Sequence, residues 1–380
     1  MGRSPMSARL LSTMVVAVVT VFVSIASSSA AAGPLEDYVR RADDSFAWKH
    51  VASIEHRECR VHAIRLTSQT WRGIEWNHWL YLIMPPNRAV DDGAVLFITG
   101  GSSKDADPLS GAKDVDRFVP IAKAVGVPVA ILRQVPNQPL FDGLYEDEII
   151  SLTFANYLRE GDADWPLLLP MVKSAVAAMD AVQACASEKE KVTIERFLVT
   201  GASKRGWTTW LTAAVDDRVC GIAPMVIDVL NMPAQMKRQL ASYGEYSRQI
   251  MPYTKRGIQD SMQTSLGERL TSIVDPFAYR DRYTMPKLVL LGTNDPYWTV
   301  DAAWEYFPAV PGPKALFYLP NAGHGLGGGI VPTFIAFVDA VFTGKTLPEL
   351  TTRLQDDNRR LIVEWTGGRP TAAVPCSTCR

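Results

Sequence analysis

A chain of 380 residues that is 47% hydrophobic and 21% charged can bury a large core, which suits one α/β domain with an insertion. The net charge of -1 comes with no basic stripe and argues against nucleic acid as a partner. Neither a glycine-rich phosphate loop nor a Cys/His metal-ligand spacing occurs, so no cofactor and no metal are expected.

Residues 1–32 read as a targeting segment. Arg3 and Arg9 precede an apolar stretch at 10–26, and Ala30 and Ala32 supply small residues for cleavage. Cleavage there would start the mature chain at Gly33 and place it outside the cytoplasm, secreted or periplasmic. A retained membrane anchor is the alternative, because the stretch is only slightly short for a bilayer span. No later segment reads as a span. Export permits disulfides, but five cysteines is an odd count. Cys376 and Cys379 suit a local bridge, while Cys59, Cys185 and Cys220 are core cysteines unless two of them pair.

Residues 33–92 carry period-two strands that end at Pro85-Pro86, as antiparallel strands opening a mostly parallel sheet would. Strands and helices then alternate to about residue 230, the pattern of a doubly wound sheet. The strand at 94–99 runs into Gly100, Gly101 and Ser102, where glycine lets backbone approach a substrate closely. An amide from such an early loop serves an oxyanion hole. Glu146-Asp147-Glu148 reads as a solvated helix start, with substrate contact as the alternative. Residues 168–186 form a long helix whose Met171, Val172, Ala175, Val176, Met179 and Val182 repeat at helical spacing and belong to the core.

The next strand, Phe197-Leu198-Val199-Thr200, turns sharply at Gly201-Ala202-Ser203 into a helix. A serine hydroxyl is a weak nucleophile, and this geometry presents it exposed and strained. The second glycine of the motif is displaced to plus three, Gly206. Lys204 and Arg205 place two cations at a helix N-terminus, where the dipole disfavours them. A polar or anionic substrate group would explain them. Asp228 ends the following strand. Residues 232–284, polar and helical in texture, read as a cap over the site. Another apolar strand reaches Gly292 and then Asp295, with Trp298 placed at the pocket wall. A last strand, 314–319, leads to the glycine-framed His324. Ser203, Asp295 and His324 thus follow the Ser…Asp…His order of α/β-hydrolases. Asp295 is favoured as the acid, and Asp228 is the alternative. Residues 344–380 form a short extension with at most one strand pair.

Several segments resemble the PhoPQ-activated pathogenicity-related family of the α/β-hydrolase superfamily. They include Gly201-Ala202-Ser203-Lys204-Arg205-Gly206-Trp207, Gly292-Thr293-Asn294-Asp295-Pro296-Tyr297-Trp298, Pro320-Asn321-Ala322-Gly323-His324 and Asp164-Trp165-Pro166-Leu167-Leu168-Leu169-Pro170-Met171. The resemblance spans roughly residues 35 to 350. It implies a secreted or periplasmic hydrolase fold with Ser203, Asp295 and His324 as triad, but no substrate. Some members are discussed as secreted growth regulators, so a signalling or binding protein with little turnover is the alternative class. The elbow is also similar to that of glucuronoyl esterases, in which the cation after the serine helps hold the oxyanion, a role open to Lys204. The chain is read as an exported serine esterase with a mostly parallel sheet and a helical cap, acting on a small-molecule or carbohydrate ester.

Overall fold

The computed structural model describes residues 33–105, 112–356 and 360–367. The expected targeting segment and Cys376 and Cys379 lie outside the described residues. Helix α1 (Pro34–Arg40) precedes three antiparallel strands, β1 (Ala47–His56), β2 (Cys59–Trp71) and β3 (Ile74–Met84). Strands and helices then alternate through β4 (Gly93–Ile98), α2 (Ala112–Val125), β5 (Val129–Leu132), α3 (Asp147–Glu160) and α4 (Leu168–Cys185). They continue with β6 (Arg196–Ala202), α5 (Lys204–Val215) and β7 (Val219–Met225). The helical insertion follows, with α6 (Met232–Tyr243), α7 (Met251–Lys255), α8 (Ile258–Ser261) and α9 (Ser265–Val274). After it come β8 (Lys287–Gly292), β9 (Lys314–Leu319) and α10 (Val331–Thr343), and then an exposed hairpin, β10 (Glu349–Gln355) with β11 (Arg360–Thr366).

Nine strands make one sheet in the order β1-β2-β3-β5-β4-β6-β7-β8-β9. Pairing is antiparallel from β1 to β5 and parallel from β5 to β9. Successive residues of a strand point to opposite faces, and helices cover both faces of the parallel part. On β8, Val289 and Leu291 therefore join one core with α1, α4 and α5, while Leu288 and Leu290 join the other with α2 and α10. This two-sided burial is why the parallel strands read as unbroken apolar runs.

On α4, Met171, Val172, Ala175, Met179 and Val182 are fully buried, as the helical spacing predicts. The sequence reading that no later segment is apolar enough to span a membrane needs correction. The helix from Leu168 to Glu190 passes that test by length and composition, but 78% of its apolar window is buried in the fold. It is a core helix. Cys59, Cys185 and Cys220 are free thiols. Trp71, Trp76 and Trp210 are among the largest fully buried side chains, so these tryptophans fill core and form no exposed platform. The insertion is tied down by Asp275, whose carboxylate accepts from the backbone N–H groups of Asn231, Met232 and Phe277. One buried carboxylate thereby caps the start of α6 and the turn that follows α9.

Candidate active site

Ser203 stands between β6 and α5 with φ 59° and ψ -125°, a strained conformation for a residue with a β-carbon. Its N–H donates to the Met225 carbonyl at 2.8 Å, which ties the turn to β7. Both glycines of the motif have steric reasons. A Cβ on Gly201 would lie 2.8 Å from the Arg205 carbonyl oxygen. On Gly206 it would lie 2.7 Å from Ile227 Cγ2 and 2.9 Å from the Met225 oxygen. The plus-three glycine thus lets α5 pass close over the end of β7. Gly206→Ala should cost about 1–3 kcal/mol in chemical denaturation. An unchanged denaturation midpoint would show that α5 can simply move away.

Beyond β8, Gly292 packs backbone against backbone on the neighbouring loop, where its Cβ would fall 2.4 Å from the Ala322 oxygen. That contact brings the loops of Asp295 and His324 together. Asp295 Oδ2 accepts from His324 Nδ1 at 2.8 Å, and Asp295 Oδ1 accepts from the Tyr297 N–H at 2.9 Å. The Tyr297 ring stacks on the imidazole, with centroids 4.2 Å apart. Because a carboxylate oxygen accepts, Nδ1 carries a proton, and in the neutral ring Nε2 then holds the lone pair. That Nε2 is buried and has no hydrogen-bond partner among the described residues. His324 and Ser203 line the same cavity. The buried histidines are held elsewhere. His62 bonds Ser53 and Glu190, and His78 bonds Ser68 and the Arg133 carbonyl, with burial lowering its pKa to about 4.

Asp228, the alternative acid, accepts from the Tyr306 hydroxyl at 2.6 Å rather than from His324. Burial raises its pKa to about 7; the Tyr306 hydrogen bond opposes the shift and the Asp295 charge reinforces it.

Two carboxylates that read as a solvated helix start instead turn inward to meet the two cations. Arg205 makes a bidentate pair with Glu146, Nη1 to Oε2 at 2.8 Å and Nη2 to Oε1 at 2.7 Å. Lys204 Nζ lies 2.7 Å from Asp147 Oδ2. Asp147 also accepts from the Tyr253 hydroxyl at 2.9 Å and from the Tyr297 hydroxyl at 3.4 Å. Burial opposes ionisation of Glu146, but the Arg205 guanidinium holds it below the usual carboxylate range. Burial likewise works against the Lys204 ammonium, and the Asp147 carboxylate outweighs it and raises its pKa. Glu146 itself has φ 52° and ψ -125°, nearly the backbone of Ser203. The cations at the α5 start thus have partners at the α3 start, and the dipole argument no longer requires an anionic ligand.

The cavity beside Ser203 is lined by apolar residues from α5, the β7 end and the insertion, with Lys204 and Asp147 at its wall. Trp298 lines it, where the sequence reading placed it, and Arg205 is not among the lining residues. Gly100, Gly101 and Ser102 are not among them either. Gly100 lies against the Arg205 guanidinium, Gly101 has φ 135°, and the Ser102 N–H donates to Asp105 Oδ2 at 3.2 Å. Tyr253, Tyr297 and the methionines of the insertion were not singled out from sequence. Only the polar, helical texture of 232–284 pointed toward Tyr253 and the methionines, and Tyr297 fell inside the segment from Gly292 to Trp298.

The profile of the PhoPQ-activated pathogenicity-related proteins matches residues 35–375. Autocrine proliferation repressor protein A of Dictyostelium discoideum is 35% identical over 350 residues, which are 87% of this chain and 70% of that protein. Among solved structures, an acetyl xylan esterase from Paenibacillus sp. R4 superposes with a TM-score of 0.57 at 13% identity, covering 80% of this chain and 92% of that one. Acetyl xylan esterase 1 from Thermoanaerobacterium sp. gives 0.54 at 17% identity, covering 81% and 91%. A glucuronoyl esterase from Solibacter usitatus gives 0.50 at 12% identity, covering 81% and 91%. At such identities the likeness shows the fold, that of the α/β-hydrolases.

Proposed function

This chain belongs to the PhoPQ-activated pathogenicity-related family, and from that membership and the site geometry we propose that it is an exported serine hydrolase acting on carboxylic esters. The observation that carries this reading is the hydrogen bond from His324 Nδ1 to Asp295 Oδ2, which leaves Nε2 unpaired beside the cavity that Ser203 lines. In the mechanism, His324 Nε2 takes the proton of the Ser203 hydroxyl as its oxygen attacks the ester carbonyl. Asp295 holds the ring in the required tautomer. The Lys204 amide, next after the nucleophile, is the oxyanion donor in this reading; the Ser102 N–H is taken by Asp105, and the 100–102 loop does not line the cavity. Collapse of the tetrahedral intermediate expels the alcohol, protonated by His324, and water then hydrolyses the acyl-enzyme. No cofactor takes part. The fold shared with acetyl xylan and glucuronoyl esterases supports a small-molecule or carbohydrate ester as substrate. A p-nitrophenyl ester should release a burst of nitrophenol equal to the enzyme present before steady turnover. No release above the buffer rate across an ester panel would refute the proposal.

Export is part of the same reading. Mass spectrometry of the secreted protein should find its N-terminus near Gly33. An intact N-terminus in a detergent-extracted membrane fraction would make residues 10–26 an anchor instead.

The relative named as an autocrine proliferation repressor favours a second reading, a secreted signalling protein on a hydrolase fold. The two separate on whether Ser203→Ala changes the protein's effect on cells. A signalling scaffold would retain that effect.

A further inference from the structure

Resting on the hydrolase reading, we propose that the cavity beside Ser203 selects uncharged esters carrying a short aliphatic chain. The charges near the nucleophile cancel in pairs: Arg205 against Glu146 and Lys204 against Asp147. No cation at the start of α5 is left to hold an anionic substrate group. Beyond that pair most of the wall is apolar, with Met232, Met236, Ile250, Ile258 and Met262 from the insertion and Trp207 of α5. Methionine is unbranched and polarizable, so this lining adapts to chains of differing shape. The cavity, of about 60 Å³, is narrow, which favours a slender alkyl chain over a sugar chain. Two other lining residues, Gln259 and Trp298, each bury a side-chain polar atom, Oε1 and Nε1, with no partner among the described residues. One acceptor and one donor suit a neutral polar function and carry no net charge. The expectation of a polar or anionic substrate group, drawn from two adjacent cations in sequence, loses its anionic part because their counter-charges lie about sixty residues away in the chain.

The chain reaches the cavity from either side of the ester, and substrate series distinguish the two. With p-nitrophenyl esters, kcat/KM should rise roughly threefold to fourfold per methylene from acetate to hexanoate if the acyl side enters. With acetate esters of methanol to hexanol it should rise if the alcohol side enters. Met236→Phe and Met262→Phe should each lower the hexyl-to-acetyl rate ratio, with the shorter ester as internal control. Binding is read separately in Ser203→Ala labelled with ¹³C-methyl methionine. Hexanamide should shift the Met232, Met236 and Met262 resonances, whereas succinamate, an anionic amide, should not. Shifts with no ester turned over by wild type would support the cavity and remove the hydrolase reading. Equal or stronger shifts with succinamate, or none with hexanamide, would overturn the proposal, as would flat chain-length profiles in both series.

Discussion

Replacing Ser203 by alanine should lower ester turnover by roughly 10³-fold or more while leaving the fold and its denaturation midpoint intact. The size of the effect follows from the division of labour in the site. In the proposed mechanism no acyl-enzyme forms without the hydroxyl, and what remains is binding together with any stabilisation of the oxyanion by backbone amides. Ser203 is held at φ 59°, a conformation that alanine tolerates no worse than serine. The loss therefore reports chemistry and not unfolding. A variant with more than a tenth of wild-type kcat/KM would remove Ser203 from the mechanism.

The second large effect separates the two candidate acids. Asp295→Asn should reduce kcat by roughly 10³- to 10⁴-fold, because the amide can donate to His324 Nδ1 and so favour the tautomer that puts the proton on Nε2. Asp228→Asn should cost less than about tenfold, since the amide oxygen still accepts from the Tyr306 hydroxyl. Its signature lies in stability. The Asp228 carboxyl titrates at about 7 in the fold against 3.8 as its ordinary value, so between those values the folded state keeps a proton that the unfolded state has lost. This group therefore makes wild type lose roughly 1.4 kcal/mol of stability for each pH unit gained across that window, and the asparagine variant should lose that slope. Denaturation midpoints of both proteins at pH 4.5 and 7.5 measure the difference. Equal slopes together with a large activity loss in Asp228→Asn would move the acid to the end of β7.

The parts of the fold legible in sequence were those set by local chemistry. The parallel strands announced themselves because both faces are buried, as with Leu288 and Leu290 on one side and Val289 and Leu291 on the other. Helix α4 was legible from its period. Ser203, Asp295 and His324 were legible because each follows a strand end, where loops project side chains. What sequence did not reveal depends on distant partners. Nothing local to Glu146 and Asp147 shows that they turn inward, since the cations that hold them arrive with α5. The displacement of the glycine to 206 was visible in sequence, but its reason, the close passage of α5 over Met225 and Ile227, was not. The lining of the cavity was hidden for the same reason. Met232, Met236 and Met262 are spread over thirty residues of insertion, and only packing places them around one space.

The most direct test of the central claim is to treat the wild-type protein with a fluorophosphonate and map the adduct by peptide mass spectrometry. The account predicts one adduct, on the peptide that contains Ser203, its appearance matching the loss of ester hydrolysis. An adduct on a different serine that tracks the loss, or full hydrolysis with no adduct formed, would contradict it.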